Sequence, residues 1–248
     1  MSRFNRLLAE LRPWREFRPP AKKILAGVLL ASVGMGMFRI IFNLYLQELG
    51  YAEGVAGEIL SARSLGMALF ALPAGLLSDL LGRRRMMIGG VFLAAAALVG
   101  RAVFVTPGAM WLFALLGGAC SSAYMISLQP ALRENSGERE RNHLFSGGFV
   151  VMLLGSMAGS LLGGFLPDVY AWLGLAGNPA AALRLTLLTG AGLSLLGLIP
   201  LLLWRAPPPR RGGAWERFKR SLKVLARPEV RRLVFRFGLV ELLIGCGA

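Results

Sequence analysis

Histidine and cysteine, the side chains behind most metal sites and redox chemistry, are almost absent from this sequence. The 248 residues include one histidine, His143, and two cysteines, Cys120 and Cys246, which lie within apolar segments. Two isolated cysteines provide neither a disulfide framework nor the ligand spacing of a zinc site. We therefore predict no metal site, no cofactor and no catalytic residue, and we expect the cysteines to pack between helices.

Charged residues are also scarce. They make up 17% of the chain, whereas a soluble domain carries about a quarter. Hydrophobic residues reach 55% and the mean hydropathy is +0.59. The net charge of +15 comes from basic residues that flank long apolar segments instead of forming one basic face. This pattern excludes nucleic acid as the expected partner and favours a lipid bilayer.

Six apolar segments are long enough to cross a bilayer, which takes about 20 residues of helix. The predicted helices cover residues 24–46, 54–77, 86–105, 110–132, 145–166 and 182–204. A seventh apolar segment, 233–248, is short for a complete span. We predict an all-α membrane protein: a six-helix transmembrane bundle with a partial seventh helix.

Lysine and arginine are concentrated in alternate loops. Residues 1–23 carry seven of them and the loops after the second and fourth predicted helices carry three each, whereas residues 47–53 carry none. Because cytoplasmic loops retain positive charge, we predict a cytoplasmic amino terminus in a bacterial inner or plasma membrane. Residues 1–23 have the pattern of a basic amphipathic segment, and residues 205–232, rich in proline, glycine and arginine, that of a cytoplasmic linker.

A short internal repeat connects the two ends of the sequence. The pattern Arg-Pro-x-x followed by two basic residues occurs at 18–23 and again at 227–232, 209 positions later. Parallel six-helix repeats are one way in which transporters build two halves around a central site. We therefore expect a carboxy-terminal half as a partner, or a second copy of the chain in its place. The alternative is a truncated fragment that inserts without transporting.

The loop between the second and third predicted helices carries the most specific motif. Residues 75–85 read Gly-Leu-Leu-Ser-Asp-Leu-Leu-Gly-Arg-Arg-Arg. They resemble the signature loop of the major facilitator superfamily, although Leu80 replaces a basic residue. The resemblance implies a secondary active transporter that moves a small solute by alternating access. It also implies that five residues of this signature loop help to close a cytoplasmic gate: Gly75, Asp79, Gly82, Arg83 and Arg84.

An aspartate at a membrane boundary needs a partner, and the next cytoplasmic loop offers several charged candidates. These candidates are Arg133, Glu134, Glu138, Arg139 and Arg141. The alternative interpretation is that each of these charges is solvated and serves only to set the topology.

Polar residues follow one face of the first predicted helix. Gly36, Arg39, Asn43 and Gln47 are spaced three, four and four positions apart, which places them within about 80° of arc. An arginine at the bilayer centre costs about 2.5–3.5 kcal/mol, and less nearer either surface. Arg39 is therefore expected to have a role. The family resemblance implies that this stripe faces the substrate path.

Two further residues are candidates for the same path: Arg63 in the second predicted helix and Tyr124 in the fourth. The structural alternative is that Arg39 and Arg63 pair with Glu58 or with helix carbonyls. Two arginines within the membrane favour an anionic or neutral polar solute. A coupled proton or other ion is left open, because the inner part of this unit has no carboxylate suited to carry a proton.

Small residues recur along the fifth predicted helix, where Gly155, Gly159, Gly163 and Gly164 predict close helix packing. The pattern partly matches the family's antiporter motif, with Ser160 in place of a proline, so a drug or metabolite efflux antiporter is an alternative. An intramembrane enzyme is a third possibility. It is disfavoured, because no histidine lies in a predicted helix and no nucleophile motif is present. We therefore predict no enzymatic activity.

Overall fold

The computed structural model describes residues 18–137 and 141–205, and all regular elements within them are α-helices. The helices are α1 (Pro19–Glu48), α2 (Glu53–Leu81), α3 (Arg83–Val103), α4 (Pro107–Glu134), α5 (Arg141–Trp172), α6 (Pro179–Leu196) and α7 (Leu198–Leu203). They form six spans that are long and apolar enough to cross a membrane, the sixth comprising α6 and α7. The predicted six-helix bundle is confirmed. Residues 1–17, the linker beyond Arg205 and the seventh segment lie outside the described residues.

Most helices are longer than the predicted spans, because polar residues that flank the apolar segments are also helical. Helix α1 begins at Pro19, five residues before the predicted span, with prolines in its first turn. Proline is tolerated there because the first N–H groups of a helix have no intrahelical partner. Helix α6 begins after Asn178, whose side-chain oxygen accepts a hydrogen bond from the Ala181 N–H at 2.7 Å.

The sixth span is interrupted at Gly197, where the sequence predicted one continuous helix. Pro200 lies in the second piece, α7. Proline has no N–H, and its ring collides with the carbonyl group four residues earlier, here that of Leu196. The interruption between α6 and α7 falls at this position. The two pieces still count as a single span by length and hydropathy.

Helix α3 is the most enclosed of the bundle. Within an apolar stretch of 18 residues in each helix, 61% of the residues of α3 are buried, against 17% in α2 and in α5. Helix α3 packs on α4 and α6, α1 packs on α5 and α6, and α2 packs mainly on α4. Contact between α1 and α2 is slight. The pair α1–α5 and the pair α2–α4 therefore leave a gap between them.

Large apolar side chains cover the outer faces of α2 and α5. Leu69, Leu72 and Phe165 are each about two-thirds exposed, at 67%, 68% and 68%. Such a surface would be unfavourable in water but suits contact with lipid or with another apolar helix. Because both faces of these helices are apolar, burial within this bundle alone does not explain their sequence.

Candidate substrate cavity and signature loop

A cavity of about 290 Å³ lies between the two helix pairs, with residues of α3 also lining it. We call it the main cavity. Most of its wall is apolar. The polar side chains among its lining residues are those of Ser32, Arg39, Arg63, Ser121, Tyr124, Ser156 and Ser194. A concave, mainly apolar space with a few polar groups has the composition of a small-molecule site.

Two of the arginines predicted for the substrate path line the main cavity. Arg39 is exposed on α1 and Arg63 is partly buried on α2. Neither side chain forms a hydrogen bond or an ion pair within residues 18–137 and 141–205. The alternative pairing with Glu58 or a helix carbonyl is not observed there. Since no described lining residue is Asp or Glu, the wall carries positive charge without a fixed counter-charge.

The other members of the predicted path are placed differently. Asn43 and Gln47 are exposed on α1 but are not among the residues lining the main cavity, although they share the helical face of Arg39. Tyr124 does line it, while its hydroxyl group is buried and has no hydrogen-bond partner in the described chain. A buried hydroxyl without a partner costs about 1–3 kcal/mol. Tyr124 therefore has an unused hydrogen-bonding group next to the cavity.

Arg101 on α3 was not predicted as a site residue, because the sequence places it near a loop. The structure buries it to 5% exposure. Its guanidinium carbon lies 4.4 Å from the ring centroid of Phe38 and 4.5 Å from that of Phe42. Such cation–π contacts stabilise a desolvated cation by about 2 kcal/mol or more. Two signals were available: Arg101 falls inside the predicted span, and the two phenylalanines are four residues apart on α1.

At the other end of the bundle, the signature loop forms a connected polar network. Gly82 adopts φ +93°, a backbone conformation that favours glycine, and so allows α2 to end and α3 to begin without a connecting loop. Arg83 forms an ion pair with Asp79 and approaches Glu134 of α4 at 3.6 Å. It also donates a hydrogen bond to the Ser78 hydroxyl at 3.0 Å. Arg83 thus connects α2, α3 and α4.

Arg84 extends this network to the sixth span. It donates a hydrogen bond to the Leu202 carbonyl at 2.6 Å, near the end of α7, where carbonyl groups lack helical partners. A methyl group added at Gly75 would have only Ile126 in ordinary contact, at 3.9 Å. Of the other predicted partners, Glu138 and Arg139 lie outside the described residues, as does the side chain of Arg141.

Three of the four α5 glycines that were predicted to pack closely face α1. A Cβ added to Gly159 would overlap the backbone of Val33, and one added to Gly155 would lie 2.9 Å from the Ser32 Cβ. At Gly163 the nearest atom would be the Met37 Cα at 3.2 Å, whereas Gly164 has no neighbour within 4 Å. This close approach of α5 fixes the helix that carries Arg39.

The sequence profile of the Major Facilitator Superfamily matches residues 24–247. The chain belongs to the Major Facilitator Superfamily. The family membership inferred from the signature loop is thereby confirmed, and with it a multi-pass helical membrane protein. Members of the Major Facilitator Superfamily are transporters rather than enzymes. Within the described residues, no group of three or more His, Cys, Asp or Glu side chains could hold a metal ion.

Several superfamily members of known name are similar to this chain. A gallate transporter of Pseudomonas putida is 30% identical over 184 residues, which is 74% of this chain and 38% of the relative. The 4-hydroxybenzoate transporter PcaK of Pseudomonas putida is 25% identical over 74% of this chain and 39% of its own length. The multidrug resistance protein MdtG of a Rahnella species is 26% identical over 153 residues, which is 60% of this chain and 37% of the relative. The chain therefore spans well under half the length of these relatives.

Proposed function

We propose that this superfamily member is a secondary active transporter of a small organic anion that works by alternating access. The observation that carries the proposal is the position of Arg39 and Arg63, which line the main cavity with no described carboxylate beside them. We place the protein in a bacterial inner membrane with a cytoplasmic amino terminus. The alternation of basic loops supports this orientation.

An anionic substrate would offset the cost of the partly buried Arg63 and would give the exposed Arg39 a partner. A cation in an apolar space is unfavourable unless it is paired. A guanidinium group offers two parallel N–H donors to a carboxylate, which makes such pairs strong and directional. The Arg39 and Arg63 side chains belong to α1 and α2, which otherwise make slight contact. A carboxylate bound to both would therefore connect the two walls of the main cavity.

The apolar remainder of the wall favours a substrate with a hydrophobic body. Phe149 of α5 and Tyr124 of α4 contribute aromatic rings, and aromatic rings pair well with one another. Gallate and 4-hydroxybenzoate, the compounds in the names of two relatives, are both aromatic carboxylates. We therefore propose an aromatic carboxylate as the substrate class, with Asn43 and Gln47 contacting the solute at another stage of its passage.

We propose that the signature loop acts as part of the cytoplasmic gate. Asp79, Arg83 and Arg84 are engaged within this six-helix unit. Gly82, at positive φ, allows the loop its tight course, whereas Gly75 lies within α2 with room for a side chain. Opening and closing would then exchange these contacts for others. A second six-helix unit is the proposed counterpart, either as a carboxy-terminal half or as a second copy of the chain. Crosslinking in membranes tests whether the counterpart is a second copy of the chain. Detection of monomer alone, in a preparation that transports, would exclude a second copy.

Uptake into proteoliposomes tests the proposed function. The substrates are radiolabelled 4-hydroxybenzoate, its neutral amide and a cationic drug, with and without an imposed pH gradient. We expect uptake of the carboxylate only, and about tenfold or greater loss in Arg39→Gln, the equivalent of about 1.4 kcal/mol. Arg184→Gln is the matched control, since Arg184 is an exposed arginine on α6.

Two results would contradict the proposal. Uptake of the cation in preference to the carboxylate would favour the efflux antiporter, which the similarity to multidrug resistance proteins supports. Unchanged carboxylate uptake in Arg39→Gln would remove the assigned role of the arginine. A dependence of uptake on the pH gradient would identify the proton as the coupled ion.

A further inference from the structure

A second and much smaller void, of about 10 Å³, lies beside the main cavity. Arg63 and Ser121 line both spaces, whereas Arg101 lines only the small void. The remaining described residues in its wall carry apolar side chains or none. The small void is therefore an apolar pocket with three polar groups, two of them cationic.

These three polar groups have no polar partner elsewhere in the described chain. The side chains of Arg63, Arg101 and Ser121 form no hydrogen bond and no ion pair within residues 18–137 and 141–205. Ser121 is only 7% exposed. Buried donors without acceptors and buried cations without counter-charges are both costly. The aromatic rings beside Arg101 offset part of that cost, and they face its guanidinium from α1.

Arg63 and Arg101 line the same small void, and like charges in one small apolar space repel each other. A water molecule in the small void would accept hydrogen bonds but would leave this repulsion in place. An anion would accept the same hydrogen bonds and reverse the sign of the interaction, because each arginine would then face a negative charge. The charge pattern thus favours an anion over water.

The size of the small void limits the anion to a single atom. A volume of 10–15 Å³ on this measure corresponds to about one water-sized sphere. We propose that the small void binds one chloride-sized ion through Arg63, Arg101 and the Ser121 hydroxyl. The ion joins α2, α3 and α4. It is also connected to α1, because Phe38 and Phe42 of α1 contact Arg101. The site shares Arg63 and Ser121 with the main cavity, whereas Arg101 belongs to the small void alone, and the proposal does not rest on the proposed transport activity.

Chloride-dependent thermal unfolding of the full 248-residue chain in detergent tests this site. Chloride replaces gluconate at constant ionic strength and pH. We expect Tm to rise saturably, by about 5–10 °C once chloride exceeds its Kd by about 100-fold. Bromide should act similarly, and sulfate, which is too large for the small void, should have no effect.

Two variants and one control make the test specific. Ser121→Ala keeps both arginines and should move the half-saturating chloride concentration about three- to tenfold higher. Arg101→Gln should abolish the chloride effect, and Arg184→Gln, which changes an exposed arginine, should retain it. If Arg101→Gln fails to fold, Ser121→Ala decides. A wild-type Tm that is equal in chloride, gluconate and sulfate, or an unchanged chloride midpoint in Ser121→Ala, overturns the proposal.

Discussion

At the signature-loop end of the bundle, Arg83 contacts Asp79, Glu134 and Ser78. In the halves of α2 and α3 that lie away from this loop, Arg63 and Arg101 have no polar partner in the described chain. Both regions use arginine, yet they use it differently. At the signature loop the charges are paired with fixed groups of neighbouring helices. Around the two cavities Arg101 is buried, Arg63 is partly buried and Arg39 is exposed, and all three are left without fixed polar partners among the described residues.

This difference indicates where a ligand is needed. A paired and partly exposed arginine contributes little net stability, on the order of 0–1 kcal/mol, and its value lies in which helices it joins. An unpaired arginine in an apolar wall lowers stability until something negative binds. The contacts of the signature loop therefore hold α2, α3 and α4 in one arrangement, whereas the cavity arginines are available to a mobile anion. Proteins commonly retain such costly groups where binding requires them.

Substitution of Gly159, which packs against α1, is expected to have the largest effect and to act on the cavity region but not on the signature loop. Replacing it with leucine forces α5 away from Val33, which should lower stability by about 1–3 kcal/mol or more. The displacement should also move Arg39, which α1 carries, without touching the signature loop. Gly164→Leu is the control, because Gly164 has open space. Thermal unfolding of both variants measures the effect, and equal losses would contradict the assigned packing.

Asp79→Asn should abolish transport while leaving membrane insertion and most of the stability intact. The substitution removes the ion pair with Arg83, so the proposed gate loses one of its contacts. An exposed pair of this kind contributes only about 0–1 kcal/mol to stability. Proteoliposome uptake and Tm, measured on the same preparation, check the two parts. Full uptake by Asp79→Asn would exclude the gate role.

Neutralising an arginine should have opposite effects on stability in the two regions. In chloride-free buffer Arg63→Gln removes an unpaired charge and should raise Tm, by about 2–4 °C for each kcal/mol gained. Arg83→Gln breaks the contacts with Asp79 and Glu134 and should lower Tm slightly. Arg184→Gln should change little. If Arg63→Gln lowered Tm as much as Arg83→Gln, then Arg63 would have a fixed partner, and the contrast between the regions would be lost.

The smallest effect is expected from Tyr124→Phe. The Tyr124 hydroxyl is buried without a partner, so its removal should leave Tm unchanged or raise it slightly. If the hydroxyl binds the substrate, affinity should fall about three- to tenfold, as expected for one hydrogen bond. Comparing Tm with substrate Kd separates these contributions. A clear loss of stability would indicate a bond to a protein group.

The helices could be predicted from the sequence because hydropathy and length determine which segments can cross a bilayer. The placement of Arg39 on a polar face of α1 also followed from helical periodicity. That Asn43 and Gln47 do not line the main cavity did not follow, since periodicity gives the direction of a side chain and not where a cavity ends. The environment of Arg101 depends on the packing of α3 against α1, and sequence spacing within one helix carries no such information.

The affinity of an aromatic carboxylate relative to its neutral amide tests the role of the cavity arginines most directly. Isothermal titration of 4-hydroxybenzoate and 4-hydroxybenzamide compares wild type with Arg63→Gln and with Arg184→Gln. We expect wild type and Arg184→Gln to prefer the carboxylate by at least about tenfold. Arg63→Gln should lose most of that preference and keep its affinity for the amide. An equal preference for the carboxylate in wild type and Arg63→Gln would contradict the assignment of the unpaired arginines to anion binding.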